Sequence, residues 1–301
     1  MASVSFFIQV LLWGLSWLAI VFQQGHVAAE VSIFYRFALA AVCLWIWGTL
    51  NKSIQHVPKR SQLWLVLLGL TLFCCNFLAF YYSTHFIVSG LTATIMATAP
   101  IFNALNNRLF YGVKIHVNFW FGALIGLLGV ACLFGPELAA TQFNQQTLLG
   151  ALLALLGTLC FSFGNMLSIR IGQCGVKPYT ANCYAMGYGC AFLLGLIWLN
   201  GIQFSFDFSA SYIGALFYLA IPASVFGFTL YLQLVNKIGA SQAAYALILT
   251  PFVALFASSI FEGYVWNVSA LVGALLILLG HRLAQSPIQL SLKSLKFAIR
   301  N

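Results

Sequence analysis

Arg36 is the costliest residue in the sequence, because it lies about six residues, or ~9 Å, inside an apolar run that begins near residue 31. Three explanations are open: the guanidinium faces an anionic group of a ligand, pairs with Glu262, or snorkels to the surface and anchors its helix. Glu30 suits pairing less well, since six residues put it on another side of the same helix. The apolar runs also carry three amides, Asn76, Asn103 and Asn165, each of which must find a neighbouring helix, a substrate or cavity water. Aromatic residues accompany them. Trp13, Trp17, Tyr81, Tyr82, Tyr184 and Tyr245 can stack on a planar or amphipathic substrate or form an interfacial belt, and Trp13 and Tyr245 are deep enough for a cavity.

This set is defined as much by what it lacks. No acid falls at mid-depth, so nothing balances a desolvated cation, and polyamines or quaternary ammonium compounds are poor ligands unless aromatic faces hold them. Arg36, Trp13, Tyr81, Tyr245, Asn76 and Asn165 instead suit a small neutral, zwitterionic or weakly anionic metabolite with an apolar part, such as an amino acid. Glu262 and His85, both near the ends of apolar runs, are the only candidate coupling groups. Facilitated diffusion or exchange is therefore expected rather than strong proton-driven pumping. A membrane-embedded enzyme would need paired intramembrane aspartates, a HExxH helix or a Ser/His arrangement, and with none in the sequence no catalysis is expected. The eight cysteines form no CxxC pair, and all but Cys174 fall inside apolar runs as packing residues; no metal or cofactor is expected.

The elements that must position these residues follow from composition. Of 301 residues, 62% are hydrophobic and only 6% charged, with a mean hydropathy of +0.98. So few charges cannot cover a water-soluble surface of this size, and an all-α integral membrane protein is expected. Runs of about 20 residues, the length that crosses ~30 Å of hydrocarbon, number ten: 3–22, 31–50, 62–82, 87–110, 118–135, 147–169, 179–200, 212–235, 240–261 and 266–284. The first lacks a basic leading region and is long for a signal peptide, so it is kept as a span.

Charge orients the spans. With the N-terminus in the cytoplasm, every lysine and arginine except Arg36 falls at a cytoplasmic end or loop, and the four acids Glu30, Glu137, Asp207 and Glu262 all fall outside. Both termini are then cytoplasmic, as expected for a multi-pass protein of the bacterial inner membrane. The net charge of +9 is thus a topology signal and calls for no nucleic-acid partner. The tail, 285–301, has Leu292, Leu295 and Ile299 on one side and Lys293, Lys296 and Arg300 on another, which suits a helix on anionic lipid or a disordered basic tail.

The chain also repeats. Sliding 90–129 onto 241–280 without a gap matches Ala93 with Ala244, Pro100 with Pro251, Phe110 with Phe261, Gly112 with Gly263, Gly122 with Gly273, Ala123 with Ala274 and Gly129 with Gly280. Spans four and five therefore recur as nine and ten. Five is odd, so the copies cross in opposite senses, and the expected architecture is ten transmembrane helices as a 5+5 inverted repeat: 1–140, then 147–284. Two such halves can rock about a central site, which points to a transporter, while Pro100 and Pro251 are expected to kink paired helices at the cavity wall.

Trp13 and Gly14, the spacing of Glu30, Arg36 and Phe37, the mid-span proline followed by Phe261-Glu262-Gly263, and the glycine-rich "LVGALLILLGHRL" together resemble the EamA family of the drug/metabolite transporter superfamily, over essentially the whole chain. The resemblance implies efflux or exchange of small metabolites, often amino acids, through a cavity lined mainly by spans 1, 3, 4, 6, 8 and 9. One departure stands out: the family often has Glu at the end of both proline-bearing spans, and Tyr111 occupies the first of these positions. The competing readings are a cationic drug exporter and a non-transporting sensor or lipid-handling scaffold.

Overall fold

The structure, a computed structural model, describes residues 2–140, 145–243 and 247–285. Tyr245 and the predicted tail helix lie outside the described residues. All regular structure among them is helical: α1 (Ala2–Val21), α2 (Ala29–Leu50), α3 (Lys59–Leu68), α4 (Asn76–Ser83), α5 (Ser89–Met96), α6 (Ala99–Tyr111), α7 (Val117–Ala140), α8 (Gln145–Gln173), α9 (Pro178–Leu199), α10 (Ala210–Tyr218), α11 (Gly227–Ile238), α12 (Ala240–Ala243), α13 (Thr250–Phe261) and α14 (Val268–Gln285). Two π-helical segments, Gly69–Cys75 and Leu219–Phe226, join α3 to α4 and α10 to α11. Five rods are long and apolar enough to cross a bilayer: Ala29–Leu50, Lys59–Ser83, Gln145–Gln173, Pro178–Leu199 and Ala210–Ile238. Shorter apolar helices cover Phe7–Val21, Val117–Leu133, Thr250–Phe261 and Val268–Ala284.

Prolines act differently in different settings. Pro100 sits in the first turn of α6 and Pro251 in the first turn of α13, positions where a missing N–H costs nothing. Instead of kinking a continuous helix, each proline opens a new one, α6 after a turn at Ala97 and Thr98 and α13 at Thr250. α5 ends at Met96, where the Thr98 hydroxyl donates to Ile95 O at 2.7 Å, and ahead of α13 the Thr250 hydroxyl donates to Leu247 O at 2.6 Å. Both helices that restart then end on a left-handed glycine, Gly112 at φ 68° and Gly263 at φ 74°. Pro222, by contrast, lies inside a π segment and the rod Ala210–Ile238 continues through it.

Small residues bring helices into backbone contact. A Cβ on Gly122 would lie 2.3 Å from Gly280 O, and one on Gly129 would lie 2.6 Å from Gly273 O, so α7 and α14 touch along their glycines. Gly14 presses α1 against Val253 and Thr250 O of α13, and Gly69 brings its π segment onto Ala185 O of α9. Phe37, Phe73, Phe77 and Phe228 meet edge to face at the centre, with ring centroids 4.8–5.9 Å apart.

Gly129→Leu should therefore force α7 and α14 apart and destabilise the protein by about 1–3 kcal/mol. Gly195→Leu, at a position with no neighbour within 4 Å, is the control. Thermal unfolding in detergent measures both, and equal midpoints would contradict the packing.

Candidate substrate cavity

A small cavity lies among α1, α2, α4, α5, α8 and α11, walled by Trp13, Ser16, Trp17, Ile20, Arg36, Asn76, Phe77, Phe80, Met96, Phe161, Phe228, Leu247 and Thr250. About 40 Å³ of it is open to water, enough for a few water molecules and far too little for an amino acid.

Trp13 is held from three sides. Its Nε1 donates to Ala223 O at 3.0 Å, its ring stacks at 5.0 Å on Phe228 and 4.9 Å on Tyr231, and only a glycine at 227 leaves room for the indole. The Ala223 carbonyl belongs to the second π segment, where the altered backbone register aims groups inward. Such single-turn widenings recur at functional sites.

Arg36 is 2% exposed. Its Nε donates to Ser224 Oγ at 3.0 Å, and Ser224 in turn donates to Leu219 O at 2.7 Å. Its guanidinium carbon lies 4.3 Å from the Phe77 ring centroid and 5.1 Å from that of Phe37, and Tyr81 neighbours it. Its Nη1 is buried with no hydrogen-bond partner. None of these contacts supplies negative charge, apart from the faces of the rings, whose contribution is up to ~2 kcal/mol when desolvated. The uncompensated cation costs several kcal/mol.

Glu262 does not pair with Arg36, contrary to one of the expectations. Its carboxylate accepts from Ser89 N at 2.9 Å, from Ser258 Oγ at 2.6 Å and from Ser89 Oγ, while Ser258 Oγ also accepts from Gly90 N at 3.0 Å. The exposed N–H groups and positive dipole end of α5 attract the carboxylate more directly than a distant guanidinium does. His85 is exposed beyond α4, its ring 6.1 Å from that of Tyr82, and does not reach the cavity.

Other sequence candidates divide. Asn76 lines the cavity and donates to Gly157 O at 3.0 Å. Tyr81 is buried behind the wall, donating to Gln23 Oε1 at 2.6 Å and lending its carbonyl to Gln24. Asn165 lies one turn beyond Phe161 and donates to Tyr231 OH at 3.0 Å and Asn103 Oδ1 at 3.2 Å, with Asn103 donating to Ala240 O at 3.3 Å. Tyr82 ties to Glu30 at 2.5 Å and Tyr184 packs on Trp45, so neither belongs to the site. Sequence reasoning missed Phe77, Phe80, Phe161 and Phe228, since among 28 phenylalanines the residue type carries no information. It also missed Ser224 and the buried Gln9 and Gln23, although a glutamine in an apolar run was a readable signal.

Helices of this length and composition, packed around a small cationic and aromatic cavity, define an integral membrane protein. The sequence matches the EamA-like transporter family over residues 1–135 and 148–284, and the chain belongs to that family. It is similar to the uncharacterized transporter YoaV of Bacillus subtilis (23% identity; 90% of this chain, 91% of that protein) and to PagO of Salmonella typhimurium (26%; 87% and 85%). The uncharacterized inner membrane transporter YedA of Escherichia coli K12 is 28% identical over 72% of this chain and 69% of its own. A solved crystal structure shares the fold, with a TM-score of 0.70 over 94% of this chain and 96% of the other, at 17% identity.

Arg36→Met removes an unpaired buried charge and keeps a long apolar side chain in the cavity wall. The ligand-free variant should be more stable, by about 1–4 kcal/mol. Thermal unfolding of the purified protein reads this directly; a lower midpoint would mean that Ser224 and Phe77 more than offset the desolvation of the guanidinium.

Proposed function

We propose that the protein is a secondary transporter that moves a small amino-acid-like metabolite, neutral, zwitterionic or weakly anionic, across the bacterial inner membrane by efflux or exchange. The observation that carries this reading is Arg36, a buried cation with no carboxylate among its partners, set in an aromatic cavity of a chain from a transporter family. A substrate carboxylate on the guanidinium would supply the missing charge, and the planar fork of arginine suits that group. The rings around Trp13 would take the apolar part. Asn76, Tyr81, Asn165 and Tyr245 are proposed as further parts of the site, and no coupling role is assigned to His85.

The architecture we propose is ten spans in two inverted halves, 1–140 and 147–284, with both termini cytoplasmic. Reciprocal glycine contacts support it. Gly122 packs on Gly280 and Gly129 on Gly273, while in the sequence repeat Gly122 corresponds to Gly273 and Gly129 to Gly280. Each contact is thus the image of the other, as a twofold relation between α7 and α14 requires. The breaks before Pro100 and Pro251 are the natural flexing points for alternating access. Glu262 on Ser89 and Ser258 would hold the outer end closed.

Two measurements test this. Radiolabelled amino acids, nucleosides, sugars and cationic dyes are offered to proteoliposomes preloaded with the same compound. Counterflow should be seen for amino acids and fall at least tenfold in Arg36→Gln; movement of the dyes alone would overturn the substrate assignment. For orientation, a cysteine introduced at Glu137 should react with membrane-impermeant maleimide from outside the cell, and labelling solely from the cytoplasm would reverse the topology.

A further inference from the structure

A second cavity lies away from the central one, between α3 with its π segment, α6 and α8. It is far larger, ≈ 510 Å³, and opens sideways among Trp64, Leu67, Phe110, Phe163 and Leu167. Arg170 and Tyr111 stand at its polar end. Trp64 and Phe163 are half-buried and Phe110 exposed, so the groove faces the surface that the apolar composition assigns to lipid.

Tyr111 occupies the position that corresponds to Glu262 in the repeat, where a carboxylate would stand close to Arg170. Instead the Tyr111 hydroxyl donates to Met166 O at 2.7 Å. The Arg170 guanidinium is held over the Trp64 ring at 5.8 Å and reaches Gln173 Oε1 at 3.5 Å, with no carboxylate among these partners. The acids Glu30, Asp207 and Glu262 are committed to Tyr82, Ser209 and Ser89, none of which lines this groove.

We propose that this groove binds one anionic phospholipid, with an acyl chain between α6 and α8 and the phosphate on Arg170. A free phosphate would need the cation alone. The long apolar slot leading from it fits a lipid tail, and the joined arrangement matches a molecule that carries both. With tyrosine rather than a carboxylate at position 111, the arginine is left available. This site is independent of the identity of the transported solute.

Native mass spectrometry of the full chain, purified in mild detergent with equimolar dioleoyl phosphatidylglycerol and dioleoyl phosphatidylcholine, tests it. Phosphatidylglycerol should be retained at least tenfold over phosphatidylcholine, and the preference should fall to within twofold in Arg170→Gln. Tyr111→Glu restores a carboxylate beside Arg170 and should expel the lipid without removing the arginine, so it serves if Arg170→Gln fails to fold. Arg108→Gln, a nearby basic change outside the groove, should leave retention unaltered. Equal retention of the two lipids, unchanged retention in both groove variants, or displacement of the lipid by millimolar inorganic phosphate alone would overturn the proposal.

Discussion

The structure depends on one electrostatic constraint, a guanidinium buried beside a cavity that holds a few waters at most and where no carboxylate answers it. A charge in such a medium is tolerated when its hydrogen-bonding directions are filled and its neighbours are polarisable. Ser224 fills one direction, and the faces of Phe37 and Phe77 supply soft negative potential. The second π segment enables the first of these, because it places Ser224 so that its hydroxyl donates five residues back to Leu219 and keeps a lone pair for Arg36. The same segment offers the Ala223 carbonyl to Trp13. A local departure from α-helical register thus assembles both the polar and the aromatic side of the cavity.

The small volume follows from the same arrangement. Aromatic rings that meet edge to face pack densely, and with ≈ 40 Å³ open to water the cavity cannot admit a metabolite without movement of a wall. The wall residues next to the helix interruptions are Met96, at the end of α5, and Leu247 and Thr250, where Thr98 and Thr250 each return a hydroxyl hydrogen bond to the carbonyl three residues back. Long rods such as Pro178–Leu199, clamped to α2 by Trp45 on Cys183 O and by Tyr179 on Leu44 O, form the frame against which they would shift.

Much of this was legible in the sequence, for identifiable reasons. Apolar run length reports helix position because lipid imposes it, and Arg36, Asn76 and Trp13 were visible because a polar or amphipathic group in such a run is expensive. What stayed hidden was geometry that many sequences share. A π segment has no residue signature at Gly69–Cys75, and at Leu219–Phe226 the rod runs on through Pro222. Pairing of Arg36 with Glu262 was one of three open options, because sequence depth places both in the same region but says nothing of the N-terminus of α5, which takes the carboxylate. Residue type marked Tyr81 but not its setting behind the cavity wall, with its hydroxyl on Gln23.

Two polar clusters join the helices by unlike chemistry. In one, the Glu262 carboxylate takes a backbone N–H and two hydroxyls, and hydrogen bonds to a charged group contribute about 1.5–3 kcal/mol each. In the other, Asn165 bridges Asn103 and Tyr231 while Asn103 reaches Ala240 O at 3.3 Å, all neutral contacts of about 0.5–1.5 kcal/mol. The residue that aligns with Glu262, Tyr111, takes no part in that second cluster and bonds instead to Met166 O. Helices that are otherwise similar are thus joined with unequal strength, more firmly at Glu262 than at the amides. The neutral amides can exchange partners at less cost than Ser89 can be displaced from Glu262, because no charge is left without its hydrogen bonds when they do.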